Sequence, residues 1–279
     1  MIARAPLPLK EIQTECLQSL YTSNYESQHR RIPSPAPGTC LWFVQHDLYK
    51  TWSKKRGSSL LWLSADPGCG KSVLSSFLVN RFRESYSQTS LPGIVCYFFF
   101  AHGDTGQADA TSALRALLHQ LLEANPSLIP HAITKYASMG LKFRDDPDTL
   151  WGIFKRAATD PTSGNVTCVI DGLDECEQST RSLLMRFFVD FYSCTEPTPN
   201  RGDGRLKIIV TSRPYRAIED GFHDLPESRL KGENETKAIS KDVELVVNTR
   251  VGELGSKRKL SDSVQEDLKK RLIKGELLP

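Results

Sequence analysis

A lysine and a serine at the end of a glycine-bearing loop are the first residues in this chain whose types and spacing suit chemistry. In Leu60-Leu61-Trp62-Leu63-Ser64-Ala65-Asp66-Pro67-Gly68-Cys69-Gly70-Lys71-Ser72, an apolar run leads into the loop, and Val73, Leu74, Phe77, Leu78 and Phe82 recur behind it at helical spacing. The stretch reads as a buried strand, a phosphate-binding loop of Walker A type and the start of a helix, with Ala65 where the strict pattern has its first glycine. Several backbone N–H groups must point inward at phosphate oxygens, so side chains there must be small or absent. Gly68 and Gly70 supply backbone angles closed to other residues, and Pro67 stiffens the loop. The helix start adds unpaired N–H groups and the positive end of its dipole. Lys71 reaches the β- and γ-phosphates as a point charge, and the Ser72 hydroxyl binds Mg²⁺. The candidate nucleotide-binding stretch is thus Ala65, Asp66, Pro67, Gly68, Cys69, Gly70, Lys71, Ser72 and Val73.

Two further stretches carry polar residues at strand ends. In Val166-Thr167-Cys168-Val169-Ile170-Asp171-Gly172-Leu173-Asp174-Glu175, a Walker B-like run, an apolar strand delivers Asp171 to the edge where ligands bind in open α/β sheets. An aspartate there holds Mg²⁺ through its water shell. Gly172 leaves space, and either Asp174 or Glu175 is placed to orient or deprotonate an attacking water. Taken alone, the run equally fits an acidic turn that caps the next helix; the loop upstream favours the metal reading. The third stretch, Leu206-Lys207-Ile208-Ile209-Val210-Thr211-Ser212-Arg213-Pro214, ends in polar residues and an arginine. If its strand lies between the loop strand and the Mg²⁺ strand, Thr211 senses the terminal phosphate by hydrogen bonding and Arg213 by charge. The plain alternative is a surface arginine before a proline. No Asn-Lys-x-Asp segment occurs, which counts against a Ras-like GTPase but leaves ATP against GTP open.

The elements that must position these residues follow from periodicity. Residues 7–30 look helical, with Leu9, Ile12, Cys16, Leu17 and Leu20 on one face, and residues 32–38 form a stiff Pro-rich linker. Residues 39–52, rich in aromatics, read as a helix beside the loop strand. Strands are expected over 60–63, 94–100, 166–170 and 206–210, with a short fifth over 228–231. Between them, Leu114, Leu117, Leu118, Leu121 and Leu122 mark one helix, Asp146-Pro147 starts another, and Leu183, Leu184, Phe187, Phe188 and Phe191 face inward on a third. Residues 196–204 read as an exposed loop. Strands alternating with helices imply right-handed βαβ units: an α/β, three-layer, doubly wound sheet of five mainly parallel strands. From residue 235 the pattern is all helical. The expected organisation is a helical segment and linker over 1–38, a nucleotide domain over 39–233, and the beginning of a helical subdomain over 234–279.

Composition narrows the function classes. With 279 residues, 39% apolar and 25% charged, the chain has ample core and the make-up of a soluble globular protein. A formal charge of +3 is too small to argue for nucleic acid or an anionic membrane as partner. Seven cysteines without paired spacing argue for reduced thiols and a cytoplasmic setting, and no ligand spacing suggests zinc. The longest apolar run, over 94–101, is too short to span a bilayer.

Together these pieces give the chain a family likeness. It resembles the NACHT nucleoside triphosphatase module of fungal NLR-like STAND proteins, whose N-terminal half is similar to nephrocystin-type NACHT domains. The likeness rests on the loop stretch from Leu61 to Ser72, on Cys96-Tyr97-Phe98-Phe99-Phe100, on Leu114-Arg115-Ala116-Leu117-Leu118-His119-Gln120-Leu121, on Asp171-Gly172-Leu173-Asp174-Glu175, on Val210-Thr211-Ser212-Arg213-Pro214-Tyr215 and on Leu230-Lys231-Gly232-Glu233. These span most of residues 39–250 in the family's order. The resemblance implies a switch for signal transduction, resting with ADP and opening to self-associate with ATP and Mg²⁺, often in fungal non-self recognition and cell death. It implies phosphate and Mg²⁺ roles for Lys71 and Ser72, the metal for Asp171, hydrolysis for Asp174 or Glu175, and sensing for Arg213. Two departures stand out: Ala65 in place of glycine, and no downstream repeat region or N-terminal effector module within these residues, as in a fragment, a truncated product or a stand-alone module. Two other classes compete: a P-loop enzyme such as a small-molecule kinase or AAA-like ATPase, and a scaffold that has lost nucleotide binding.

Overall fold

The computed structural model describes residues 9–22, 25–88, 93–103, 106, 108–193, 205–225 and 228–274. Five strands form one sheet: β1 (Ser59–Ser64), β2 (Gly93–Phe99), β3 (Asn165–Asp171), β4 (Arg205–Ser212) and β5 (Arg229–Lys231), in the spatial order β2-β3-β4-β1-β5. Every neighbouring pair runs parallel. Parallel neighbours cannot be joined by hairpins, so helices cross over between them. Every residue of β1 is buried and so are six of the seven in β3, which requires cover on both sheet faces. The continuous apolar runs that marked these strands in the sequence are the signature of that two-sided burial.

The helices are α1 (Leu9–Leu20), α2 (Tyr25–Arg31), α3 (Leu41–Gln45), α4 (Asp47–Lys54), α5 (Lys71–Gln88) and α6 (Ala110–Ala124). They continue with α7 (Pro130–Met139), α8 (Pro147–Ala158), α9 (Gln178–Ser193), α10 (Arg216–Gly221), α11 (Thr236–Arg258) and α12 (Asp262–Lys274). The core between helices and sheet is aromatic: Phe98, Phe154 and Phe188 have no exposure, and Trp151 stacks on Phe154 and Phe187. Asp146 caps α8 as its sequence position implies, accepting from Thr149 N at 3.2 Å, with Pro147 in the first turn.

Two sequence expectations need correction. The helix read over 7–30 is two helices, α1 and α2, with Tyr21 and Thr22 outside both. The helix read over 39–52 is also two, because His46 is extended (ψ 140°) and its ring Nδ1 accepts from Leu48 N at 3.1 Å. His46 thereby serves as the cap of α4, and a side chain bonded to the backbone ahead of it ends one helix as it starts the next. The loop expected over 196–204 lies outside the described residues.

Candidate functional site

Three strand ends meet at the C-terminal edge of the sheet. β4 lies between β1 and β3, so the ends of all three stand side by side. Ser64 pairs with Ser212 in the parallel register, and Ala65 N donates to Ser212 O at 3.0 Å, which carries the ladder to the first residue of the loop. This is the topological position at which open α/β sheets bind ligands.

The loop is built for backbone contact. Gly68 (φ 80°) and Gly70 (φ 74°) both take left-handed angles, and a Cβ at either would meet nothing within 4 Å. Torsion, not crowding, therefore requires glycine at both positions. α5 begins at Lys71, so its first-turn amides lie at the loop's mouth, the arrangement that favours anions. Lys71 Nζ donates to Ala65 O at 2.8 Å and Asp66 O at 2.9 Å, holding the ammonium over the loop.

Asp171, at the end of β3, is 3% exposed. Its Oδ1 accepts from Ser75 Oγ and Thr211 Oγ1, each at 2.7 Å. Burial pushes its carboxyl above the usual aspartate range, while hydrogen bonds from Ser72, Thr211 and Ser75 and the Lys71 charge pull the other way. A buried carboxylate beside a serine hydroxyl is a hard oxygen donor set, the kind Mg²⁺ takes while keeping several waters. Ser72 and Asp171 are the residues that would hold it, and the ion would supply charge neutralisation at a phosphoryl group. Among the described residues no cluster of three His, Cys, Asp or Glu could hold a metal by itself.

Thr211 is bonded within this edge. Its hydroxyl donates to Asp171 and accepts from Gly172 N at 3.1 Å, so its proton is committed to the carboxylate. In this arrangement the Thr211 hydroxyl holds the Asp171 carboxyl in place.

The two acidic residues that follow are placed differently. Gly172 (φ 69°) opens a 3-10 turn over Leu173–Glu175. The Asp174 side chain, 4% exposed, accepts from Arg213 N at 3.0 Å and pairs with Arg213 Nε at 3.1 Å. Arg213 also donates to Tyr215 OH at 3.1 Å. Glu175 is half-buried and accepts from His102 N at 3.1 Å through Oε2. Lys71 and Ser72 of the loop, Asp171 and the Asp174–Arg213 pair therefore share one edge of the sheet.

Several contributing residues were not singled out by sequence reasoning. Ser75 lies one turn after Ser72, and the i, i+3 spacing was the signal that could have found it. Arg181, in α9, donates to Asp174 O at 3.1 Å and fixes the turn from behind. Gly232 touches the loop base: a Cβ there would stand 2.7 Å from Ala65 Cβ and 2.8 Å from Ser64 O. Backbone cannot yield as a flexible side chain does. Gly232→Ala is therefore expected to lower thermal stability by about 1–3 kcal/mol, as overpacking does, and to weaken whatever binds the loop. Differential scanning fluorimetry checks it, and an unchanged midpoint would contradict the close approach.

The chain is similar to several known proteins. A family model described as nephrocystin 3, N-terminal, matches residues 38–213. The vegetative incompatibility protein HET-E-1 of Podospora anserina is 28% identical over 252 residues, which is 88% of this chain. The chain spans 18% of that protein's length. Among solved structures, the ORC2 protein of Aeropyrum pernix in its ADP form aligns with a TM-score of 0.44 at 14% identity, covering 92% of this chain and 72% of that one. Drosophila ORC bound to DNA aligns with a TM-score of 0.44 at 13% identity, covering 90% and 54%.

Proposed function

The chain belongs to the nephrocystin 3 N-terminal family, and from that premise we propose that it is a nucleotide-dependent signalling switch. It binds ADP and ATP with Mg²⁺, hydrolyses ATP slowly, and changes its association state with the nucleotide it holds. The observation that carries this reading is the meeting of Lys71, over a backbone-lined loop, with a buried Asp171 held by Ser75 and Thr211. Loop amides, Lys71 and the α5 N-terminus bind the phosphates, while Ser72 and Asp171 hold the metal. Glu175 orients the attacking water, and Arg213 reads the terminal phosphate.

Within the same reading, residues 39–233 are the nucleotide domain, preceded by the helical segment and linker over 1–38 and followed by a helical subdomain over 234–279. The likeness to HET-E-1, a vegetative incompatibility protein, supports a role in non-self recognition or cell death. Cys16, Cys40, Cys69, Cys96, Cys168 and Cys176 are free thiols, which supports a reducing, cytoplasmic setting. No described helix is long and apolar enough to cross a membrane.

The test is titration with ADP and with ATP and Mg²⁺, reading melting temperature and particle size. At a ligand concentration 100 times Kd, binding to the folded state alone adds about 2.7 kcal/mol. A rise with both nucleotides and a larger particle with ATP are expected. No rise with either would favour the scaffold reading, and steady turnover well above about one per second would favour a catalytic ATPase.

A further inference from the structure

We infer that Arg229 is the positioning residue through which the phosphate loop is tied to the segment entering α11, so that occupancy of the loop is felt along that helix. The inference rests on the nucleotide-switch reading and names the contact that transmits it.

Arg229 sits in β5, the edge strand beside β1, yet its side chain is only 16% exposed. Its guanidinium lies 4.4 Å from the ring centroid of Trp62. Nε donates to Ser64 Oγ at 3.0 Å, and Ser64 is the residue immediately before the loop. Nη2 stands 2.7 Å from Glu219 Oε1 on α10 and 3.9 Å from Glu233 Oε1. One planar group therefore touches an aromatic face, a hydroxyl and a carboxylate at once, which a lysine's point charge cannot reproduce.

Its partners continue in two directions. Trp62 Nε1 donates to Ser212 Oγ at 2.9 Å, and that hydroxyl donates to Arg213 O at 2.9 Å. This leads to the strand end that carries the phosphate-facing arginine. On the other side, Ser64 Oγ donates to Glu233 Oε2 at 3.3 Å, and Gly232 rests against Ala65. Residues 232–235 form a single 3-10 turn that runs straight into α11.

The connector is held by charge more than by fit. Glu233 Oε1 is buried and makes no hydrogen bond among the described residues, while Arg229 stands 3.9 Å away. A hydrogen bond needs about 3.2 Å or less, so a displacement of the loop base by about 1 Å toward Arg229 would make that bond. Phosphate binding draws Lys71 away from Ala65 O and Asp66 O, the carbonyls next to Ser64. The loop base is thus where a binding event first moves the chain, and Arg229 is bonded to it.

The experiment is amide hydrogen exchange across Thr236–Arg258, with and without ADP or ATP and Mg²⁺, alongside calorimetric Kd values. In the wild-type chain, nucleotide is expected to change protection along α11. Arg229→Gln is expected to keep Kd within about fivefold, roughly 1 kcal/mol, and to lose most of that change. Arg229→Lys, which retains charge without the fork, should restore part of it. A change of wild-type size in Arg229→Gln overturns the inference. If Arg229→Gln does not fold, Glu219→Gln decides: it cuts the 2.7 Å pair from its more exposed end and should roughly halve the response. An undiminished response there overturns the inference as well. Wild-type binding without any change in α11 overturns it while leaving the nucleotide reading intact; absence of nucleotide binding overturns both.

Discussion

Lys71→Ala is expected to abolish measurable nucleotide binding while leaving the fold in place. Hydrogen bonds to charged partners contribute about 1.5–3 kcal/mol each. Losing contacts to two phosphates removes about 3–6 kcal/mol, a fall in affinity of roughly 10²–10⁴-fold. The cost to folding is much smaller. Among the described residues Lys71 bonds to Ala65 O and Asp66 O, and Asp66 is exposed, so water replaces the ammonium there. Calorimetry should therefore show an unsaturable variant, and its melting point without nucleotide should lie within a few degrees of wild type. The variant must also lose the nucleotide-induced rise in melting temperature. Affinity within threefold of wild type would mean that this loop is an ordinary turn.

Much of this site was legible in the sequence because its parts are local. A strand buried on both faces has to be an unbroken apolar run, and 60–63, 166–170 and 206–210 each read that way. Each run ends in the polar residue that the sheet edge presents: Ser64, Asp171 and Thr211. The order of the strands is different. Nothing within 206–212 states that β4 inserts between β1 and β3; that follows from pairings between residues more than thirty positions apart. The sensing roles read for Thr211 and Arg213 were conditional on that order, and β4 does lie between β1 and β3. What no local pattern could show is that the Thr211 hydroxyl also bonds Asp171 and Gly172 N, residues of a different strand end.

Other misses come from single side chains that override a pattern. The aromatic spacing over 39–52 suits one helix, yet His46 bonded to Leu48 N divides it. Arg229 and Gly232 were read only as part of a short strand and of a family-like stretch, with no sign of what they touch. One is a polar residue in a strand of three, the other a glycine after it, and their importance lies in residues about 165 positions away in the chain. Close packing of a short edge strand against the loop base is a tertiary fact, and no periodicity encodes it.

Of the two carboxylates after Asp171, Glu175 is expected to carry hydrolysis and Asp174 to carry stability. The Asp174 side chain is 4% exposed, and both its oxygens are engaged by Arg213, one by the backbone amide and one by the guanidinium. With one oxygen given to each Arg213 donor, it is less available to a water than a carboxylate with an oxygen to spare. Glu175 is half-buried and gives one oxygen to a backbone amide, and its other oxygen is the one proposed to orient a water. Glu175→Gln keeps the size and the acceptor for His102 N but cannot take a proton. It should lower single-turnover ATP hydrolysis by about 10²–10⁴-fold, the usual contribution of a general base, with ATP affinity unchanged. Asp174→Asn should do the opposite. Arg213 is 38% exposed, so water softens the loss of its partner. The expected cost is about 1–3 kcal/mol of folding stability, as for a buried group whose hydrogen bonds are weakened, with hydrolysis reduced far less than in Glu175→Gln. Single-turnover rates and melting temperatures measured on both variants separate the roles. Should Asp174→Asn stop hydrolysis at full stability while Glu175→Gln turns over normally, Asp174 is the base and its pairing with Arg213 must open before the water is attacked.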